Sequence, residues 1–330
     1  MDIFTWTQWL AAGHTRQALI QGLTAGEIRR VLRGVYASSG VPDVLENRAR
    51  AVRLVRPSET VVARETAAWL SGVDVLPPGR RIEDEPLHLV MPRSVTPPRL
   101  AGCTAYQGQL PAEDVVEQDG ILRTTDLRTA LDLSRFRDRE QAVAALDAYL
   151  HLERVTLEQL WARARLLQRV RNCRRLRANL AVADGGAESY AESAQRVLFV
   201  DAGLPRPKTQ VPVNGLAGDL IGALDMGWVA YLVGSEFDGE VGHDDDEQRD
   251  HDGARRSRMR REANWAIEVA RKGDLWGSPA QLVHTVAHRL VERGWSPPPA
   301  VLEQIVRAAD YEANTGERWR WMPLERLLAA

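Results

Sequence analysis

The sequence has only two cysteines, Cys103 and Cys173, standing far apart in unrelated contexts. Neither a disulfide framework nor a thiolate metal site is indicated, and a reducing compartment fits. No stretch of about twenty uninterrupted apolar residues occurs, which excludes a membrane-spanning helix by length. The first residues carry Asp2 and two tryptophans but no basic stretch followed by an apolar one, so no secretory leader is read there and a cytoplasmic protein is expected. Lysine is scarce as well, with Lys208 and Lys272 the only two, so arginine supplies nearly all positive charge. That bias reads as genome composition. The net charge of -2 says little, because segments rather than totals meet a polyanion.

What is present is an ordinary globular composition, 44% hydrophobic and 27% charged, over 330 residues. This length suits two or three separately packed units. Residues 1–60 open with two short helical patterns, Thr5–Ala12 and Thr15–Gly22, then a hairpin turning at Arg33–Gly34. Helix, helix, wing is the layout of a DNA reader, with Thr15 as N-cap of the second helix and Arg16, Arg29, Arg30 and Arg33 placed where phosphates lie. The same pattern also reads as a small helical cap with solvated arginines. Residues 61–155 read as a mixed connecting domain: a helix at Arg64–Leu70, a strand at Leu87–Met91, a turn at Asp119–Gly120, and helices over Leu127–Phe136 and Glu140–Leu150. Nothing in it resembles a catalytic constellation. Residues 156–184 form an arginine-rich helical linker in which Arg163, Arg165, Arg169, Arg171, Arg174, Arg175 and Arg177 follow one another with no acid between. Such a run is commonly a solvated face. Like charges repel unless an anion sits opposite, which favours nucleic acid, with Arg169, Arg171, Arg174 and Arg175 as contacts.

After Asp184–Gly185–Gly186, which reads as a linker, residues 185–295 give a helix over Ala187–Ala202 and an antiparallel meander: Thr209–Val213, an Asn214–Gly215 turn, Asp219–Met226 and Tyr231–Phe237. Residues 296–330 read as a C-terminal packing helix, Val301–Ala313. Within the meander, Asp225 and Glu236 come side by side if the chain turns near Val229–Ala230, and Asp238 shares a strand face with Glu236. Three acids at one place repel unless a divalent cation holds them, and Mg²⁺ or Mn²⁺ beside a phosphate is bound in this way. Glu192 on the preceding helix is a fourth carboxylate, and His243 is placed to act as general base or acid. The competing interpretation is that these are exposed strand-end acids leading into a solvated acidic loop.

The segments Ala187–Glu188–Ser189, Glu192–Ser193 before Arg196, Ala202–Gly203–Leu204–Pro205–Arg206–Pro207, Asp225, Glu236–Phe237–Asp238–Gly239 with His243, and Asn264–Trp265 together resemble actinobacterial proteins whose C-terminal domain is related to very-short-patch-repair endonucleases of the PD-(D/E)XK superfamily. In those proteins the front half resembles an AbiEi-type antitoxin winged helix. Arg33–Gly34–Val35–Tyr36, Thr66–Ala67–Ala68–Trp69 and Leu127–Arg128–Thr129–Ala130–Leu131–Asp132–Leu133 are similar to its recurrent segments. The resemblance implies an α+β protein with an N-terminal winged helix, a mixed α/β connecting domain and a C-terminal α/β/α restriction-endonuclease-like domain. It further implies Asp225, Glu236 and Asp238 as metal ligands and His243 near the scissile phosphate. The superfamily's lysine position is Asp238 here, leaving Lys208 or Lys272, with Arg255 and Arg256 as the other cations, for transition-state charge. The expected function is metal-dependent DNA cleavage in defence or repair. The alternatives are a non-catalytic DNA-binding regulator or antitoxin with a vestigial nuclease fold, and a scaffold whose arginine run meets an acidic partner. DNA is the expected partner, with a cognate toxin or a second copy of the chain beside it and no membrane.

Overall fold

The computed structural model describes residues 2–56, 60–93, 102–239 and 246–327. It divides into two compact units, Met1–Ala181 and Val182–Ala330. No described helix is long and apolar enough to cross a membrane.

Unit 1 begins with β1 (Ile3–Thr5), α1 (Trp6–Ala11), α2 (Arg16–Thr24) and the hairpin β2 (Ile28–Leu32) and β3 (Val35–Ser38). The three strands pair antiparallel in the order β1-β3-β2. Both helices start where the sequence offers a hydroxyl: Thr5 forms a capping box with Gln8, and Thr15 Oγ1 accepts the Ala18 N–H. Then follow α3 (Leu45–Val55), β4 (Val61–Val62), α4 (Arg64–Leu70), β5 (Leu87–Pro92), β6 (Cys103–Gly108), β7 (Val115–Gln118) and β8 (Ile121–Thr124). The five strands after α3 form a mixed sheet, β6-β5-β4-β8-β7, parallel at β5–β6 and β4–β8. One core runs beneath both sheets, from Val35, Ala37 and Val52 to Leu89 and Ile121.

Four helices complete unit 1: α5 (Asp126–Phe136), α6 (Arg139–His151), α7 (Leu157–Leu166) and α8 (Cys173–Leu180). The arginine run is therefore two helices and not one continuous helical stretch. Between them Arg169 and Asn172 take left-handed backbone angles, φ 56° and 64°, which break the helical hydrogen-bond ladder.

Unit 2 opens on residues expected to be a linker but bonded throughout. Val182 O accepts from Arg196 Nε at 3.2 Å, Ala183 O from Arg206 Nη2 at 2.9 Å, and Asp184 Oδ1 from Thr209 Oγ1 at 2.9 Å. A Cβ on Gly186 would fall 2.2 Å from Thr209 Oγ1, so only glycine passes there. The chain continues through α9 (Tyr190–Asp201), β9 (Lys208–Asn214), β10 (Leu220–Trp228), β11 (Val233–Phe237), α10 (Asp246–Ala263), β12 (Ala266–Ala270), α11 (Lys272–Trp276), α12 (Pro279–Glu292) and α13 (Pro299–Thr315). The expected meander β9-β10-β11 is antiparallel, and β12, which the sequence pattern did not disclose, pairs parallel with β11 at the far edge. A parallel pair needs a crossover connection, and α10 supplies it. Helices α9, α12 and α13 bury Phe199, Val286, Leu290 and Ile305 with Met226 and Val233 of the sheet in one core.

Candidate functional sites

The turn over Val229–Tyr231, closed by Leu232 at φ 51°, sets the β10–β11 register. Met226 pairs with Ser235, so Asp225 stands across from Glu236 one step further along. Asp225 Oδ2 accepts the Phe237 N–H at 2.8 Å. Its carboxyl is pushed up to about 6, first by burial and then by the nearby Glu192 and Glu188 charges, against the pull of that hydrogen bond and of Arg255. Glu236 is only 3% exposed. Arg255 Nη2 lies 2.9 Å from its Oε1 and 3.1 Å from its Oε2, and Arg256 Nε lies 2.8 Å from Oε2. Neither Arg256 Nε nor Glu236 Oε1 makes a well-directed hydrogen bond, so those two contacts act through charge. Burial, first, and Asp225 leave Glu236 above the ordinary carboxylate value despite the two arginines.

Asp238 follows β11, gives its N–H to Ala270 O at 2.8 Å, and lies 3.9 Å from Arg271 Nε. Glu192 is spent locally: Oε1 accepts from Ser189 Oγ at 2.7 Å and Oε2 from the Glu188 N–H at 3.0 Å, which secures the start of α9. His243 lies outside the described residues. Among the described residues no three carboxylate, imidazole or thiolate groups are gathered so as to hold a metal ion. Both oxygens of Glu236 are engaged by guanidinium groups, so the residues as they stand do not fit Mg²⁺ or Mn²⁺.

The arginines expected on DNA sort into two kinds. Arg16 and Arg33 are exposed, with no carboxylate partner among the described residues. Arg30, also exposed, pairs with Asp84 at 3.2 Å. Arg29 is half-buried and donates from Nη2 to Val41 O at 2.9 Å, which ties the hairpin to the chain that follows it. In the second group Arg169, Arg171, Arg174 and Arg175 are all exposed beside Leu166 and Val170, again without an acidic partner among the described residues. Arg163 differs, because it lies 2.8 Å from Asp114.

Residues 61–155 hold a feature that sequence reading missed. At the start of α4, Glu65 is 1% exposed and receives Arg137 through Nε and, at 2.6 Å, through Nη2. His88 on β5 sits with Nε2 3.2 Å from Glu65 Oε2 and Nδ1 3.1 Å from the Tyr106 hydroxyl. Nε2 makes no well-directed hydrogen bond to Glu65, so that carboxylate is a close neighbour of the imidazole and not its acceptor. Arg64 lies over the Tyr106 ring at 3.4 Å. Burial, chiefly, with Arg137 and Arg64 opposing the favourable Glu65 charge, depresses His88 to about 4. A second buried network joins it through α5: Arg128 bridges Asp114 and Asp132 at 2.9 and 2.8 Å, and Arg135 meets Asp132 at 3.2 Å. The available signal was charge inside apolar runs, Arg64–Glu65 after Val61–Val62 and Arg128 with Asp132 in Leu127–Leu133.

Residues 59–182 match the family model of the AbiEi antitoxin C-terminal domain. The antitoxin-like segment thus contains both buried networks, the exposed arginines of α7–α8, and the Thr66–Trp69 and Leu127–Leu133 motifs. It ends ahead of Asp225, Glu236 and Asp238, and it begins after Arg33–Tyr36. Two proteins of Mycobacterium tuberculosis described as uncharacterized, from strains CDC 1551 and H37Rv, are each 28% identical over 276 residues, 84% of this chain and 97% of theirs. Among solved structures, the RV2827C protein of Mycobacterium tuberculosis aligns at TM-score 0.30 and 17% identity, over 55% of this chain and 72% of that one.

Proposed function

We propose that the chain is a DNA-binding regulator of the antitoxin kind, its first unit carrying the DNA reader and its second unit keeping a nuclease-like sheet without the reaction. The observation that carries this reading is the match of residues 59–182 to the AbiEi antitoxin C-terminal domain, behind a helix–helix–hairpin arrangement and α3. That order is the one in which a winged helix presents its second helix to the major groove and its hairpin to the backbone. On α2 the side chains turned outward are Arg16, Gln17, Ile20, Gln21 and Thr24. Arg16 and Arg33 are free to meet phosphates, and Arg30 joins them once Asp84 is displaced. A cognate toxin is the second partner, for which the exposed arginines of α7–α8 offer a cationic face with apolar neighbours.

The test is titration of the full chain against duplexes from its own promoter region and from unrelated DNA, at several salt concentrations. Specific binding with a steep salt slope, weakened in the folded Arg16→Gln/Arg33→Gln variant, supports the reading. Indifference to DNA overturns it.

The alternative reading, Mg²⁺- or Mn²⁺-dependent DNA cleavage at Asp225, Glu236 and Asp238, draws on the placement of Asp225 across from Glu236 but meets a Glu236 whose two oxygens are already held by Arg255 and Arg256. Plasmid nicking that requires the ion and disappears in Asp225→Asn and Asp238→Asn distinguishes it from the first.

A further inference from the structure

Two carboxylates facing each other on neighbouring strands destabilise a sheet unless positive charge is brought between them. A divalent ion is one answer, and it requires carboxylate oxygens free to approach within about 2.1 Å of Mg²⁺. A pair of guanidinium groups from the same chain is another. In unit 2 the second answer is built in detail. Arg255 and Arg256 are consecutive on α10, so their side chains leave the helix in different directions. Both nevertheless reach Glu236, at 2.9 and 2.8 Å.

Arg255 has no donor atom to spare. Nη2 serves Glu236, Nη1 donates to Ala223 O at 2.8 Å, and Nε faces Asp252 at 3.4 Å. Its stem crosses β10 at Gly222, where a Cβ would stand 3.1 Å from Arg255 Cδ and 3.3 Å from Met259 Cε. The strand register is irregular between Leu220 and Gly222, so strand and helix are shaped to each other at this crossing. The cations that sequence reading set aside for a transition state are therefore engaged in the resting fold.

We infer that Arg255 and Arg256 take the place of the divalent ion: the carboxylate site of unit 2 is metal-independent, and its work is to fasten the crossover helix α10 to β10 and β11. This goes beyond the proposed DNA-binding function and does not depend on it.

The experiment uses the full chain, Mn²⁺ as probe, and two readouts: free Mn²⁺ by electron paramagnetic resonance, and thermal unfolding. Wild-type protein is expected to bind no Mn²⁺ that Glu236→Gln abolishes, and to unfold at the same temperature with or without the ion. Arg255→Gln/Arg256→Gln, which keeps the stems and removes the charge, is expected to unfold at a lower temperature and to gain a Mn²⁺ site. Mn²⁺ at a hundred times its dissociation constant should then shift the double variant's unfolding equilibrium about a hundredfold toward the folded state. Adding Asp225→Asn should remove that gain. If the double variant does not fold, Arg255→Gln alone, which leaves Oε1 of Glu236 free while Arg256 stays on Oε2, is the one to titrate, and Mn²⁺ binding that depends on Glu236 is expected. A wild-type Mn²⁺ site that requires Glu236, with or without duplex DNA present, overturns the inference. So does a folded arginine variant that remains indifferent to the ion.

Discussion

Acidification should loosen unit 1 through His88. The imidazole is enclosed by Glu65 and Arg64 of α4, Arg137 after α5, and Tyr106 of β6. Its neighbour Glu65 would ordinarily favour the charged form, but Arg137 already claims that carboxylate, so a proton on His88 would meet burial and two guanidinium charges with little return. The folded value, about 4, lies below the ordinary 6.5, and the unfolded chain therefore takes up the proton first. The stability this residue contributes is whole above pH 6.5 and is lost as pH falls towards 4. Between pH 7 and pH 5 the linkage removes about 2 kcal/mol. With a urea slope of about 2 kcal/mol/M, the unfolding midpoint of unit 1 should drop by about 1 M. Urea unfolding followed by hydrogen exchange on the β5 and α4 peptides would measure it, with His88→Gln as the reference that keeps a polar side chain there and cannot charge. The acid drop should shrink by about 2 kcal/mol in that variant. If His88→Gln and wild type fall in parallel from pH 7 to pH 5, His88 is not the titrating group and the reasoning fails.

Arg137→Gln should cost about 3–5 kcal/mol at neutral pH by leaving Glu65 buried without its partner, readable in the same urea experiment. Arg16→Gln with Arg33→Gln should weaken binding to all duplexes and lower the slope of log affinity against log salt by about 0.9 for each phosphate no longer neutralised, measured by fluorescence anisotropy. Replacing Arg169, Arg171, Arg174 and Arg175 by Gln should either lower affinity for unrelated DNA sequences equally or, if DNA binding is unchanged, abolish capture of a co-expressed toxin. In unit 2, Glu312→Gln should cost about 1–3 kcal/mol in thermal unfolding, because the buried carboxylate accepts the N–H of Ala280 at 2.8 Å and of Trp319 at 2.9 Å.

Local signals carried much of the fold. Thr15 as a cap, the turn at Arg33–Gly34, the strand from Leu87 and the helices of α5 and α6 each follow from a few neighbouring residues, and each is found where periodicity and turn chemistry put it. The opposed placement of Asp225 and Glu236 also follows from turn position and a two-residue period. What escaped depends on distance along the chain. Strand β12 is five residues after a helix, and its parallel pairing with β11 is decided by where α10 crosses. The engagement of Glu236 by Arg255 and Arg256 spans about twenty positions and that of Glu65 by Arg137 spans 72, with no periodic trace in either. A carboxylate cluster reads the same in sequence whether an ion or an arginine neutralises it.

The residues around Asp184 bear on how the two halves can be handled separately. The paired glycines at 185 and 186 invite division there, for expression or for exchange with a related protein. Yet the carbonyls of Val182 and Ala183 are acceptors for Arg196 and Arg206, and Arg196 is wholly enclosed. A chain that began at Gly186 would leave a sealed guanidinium short of one acceptor and release Thr209 from Asp184. The usable seam lies upstream of Val182, and a recombinant second half starting there carries its own lead-in peptide as part of its interior.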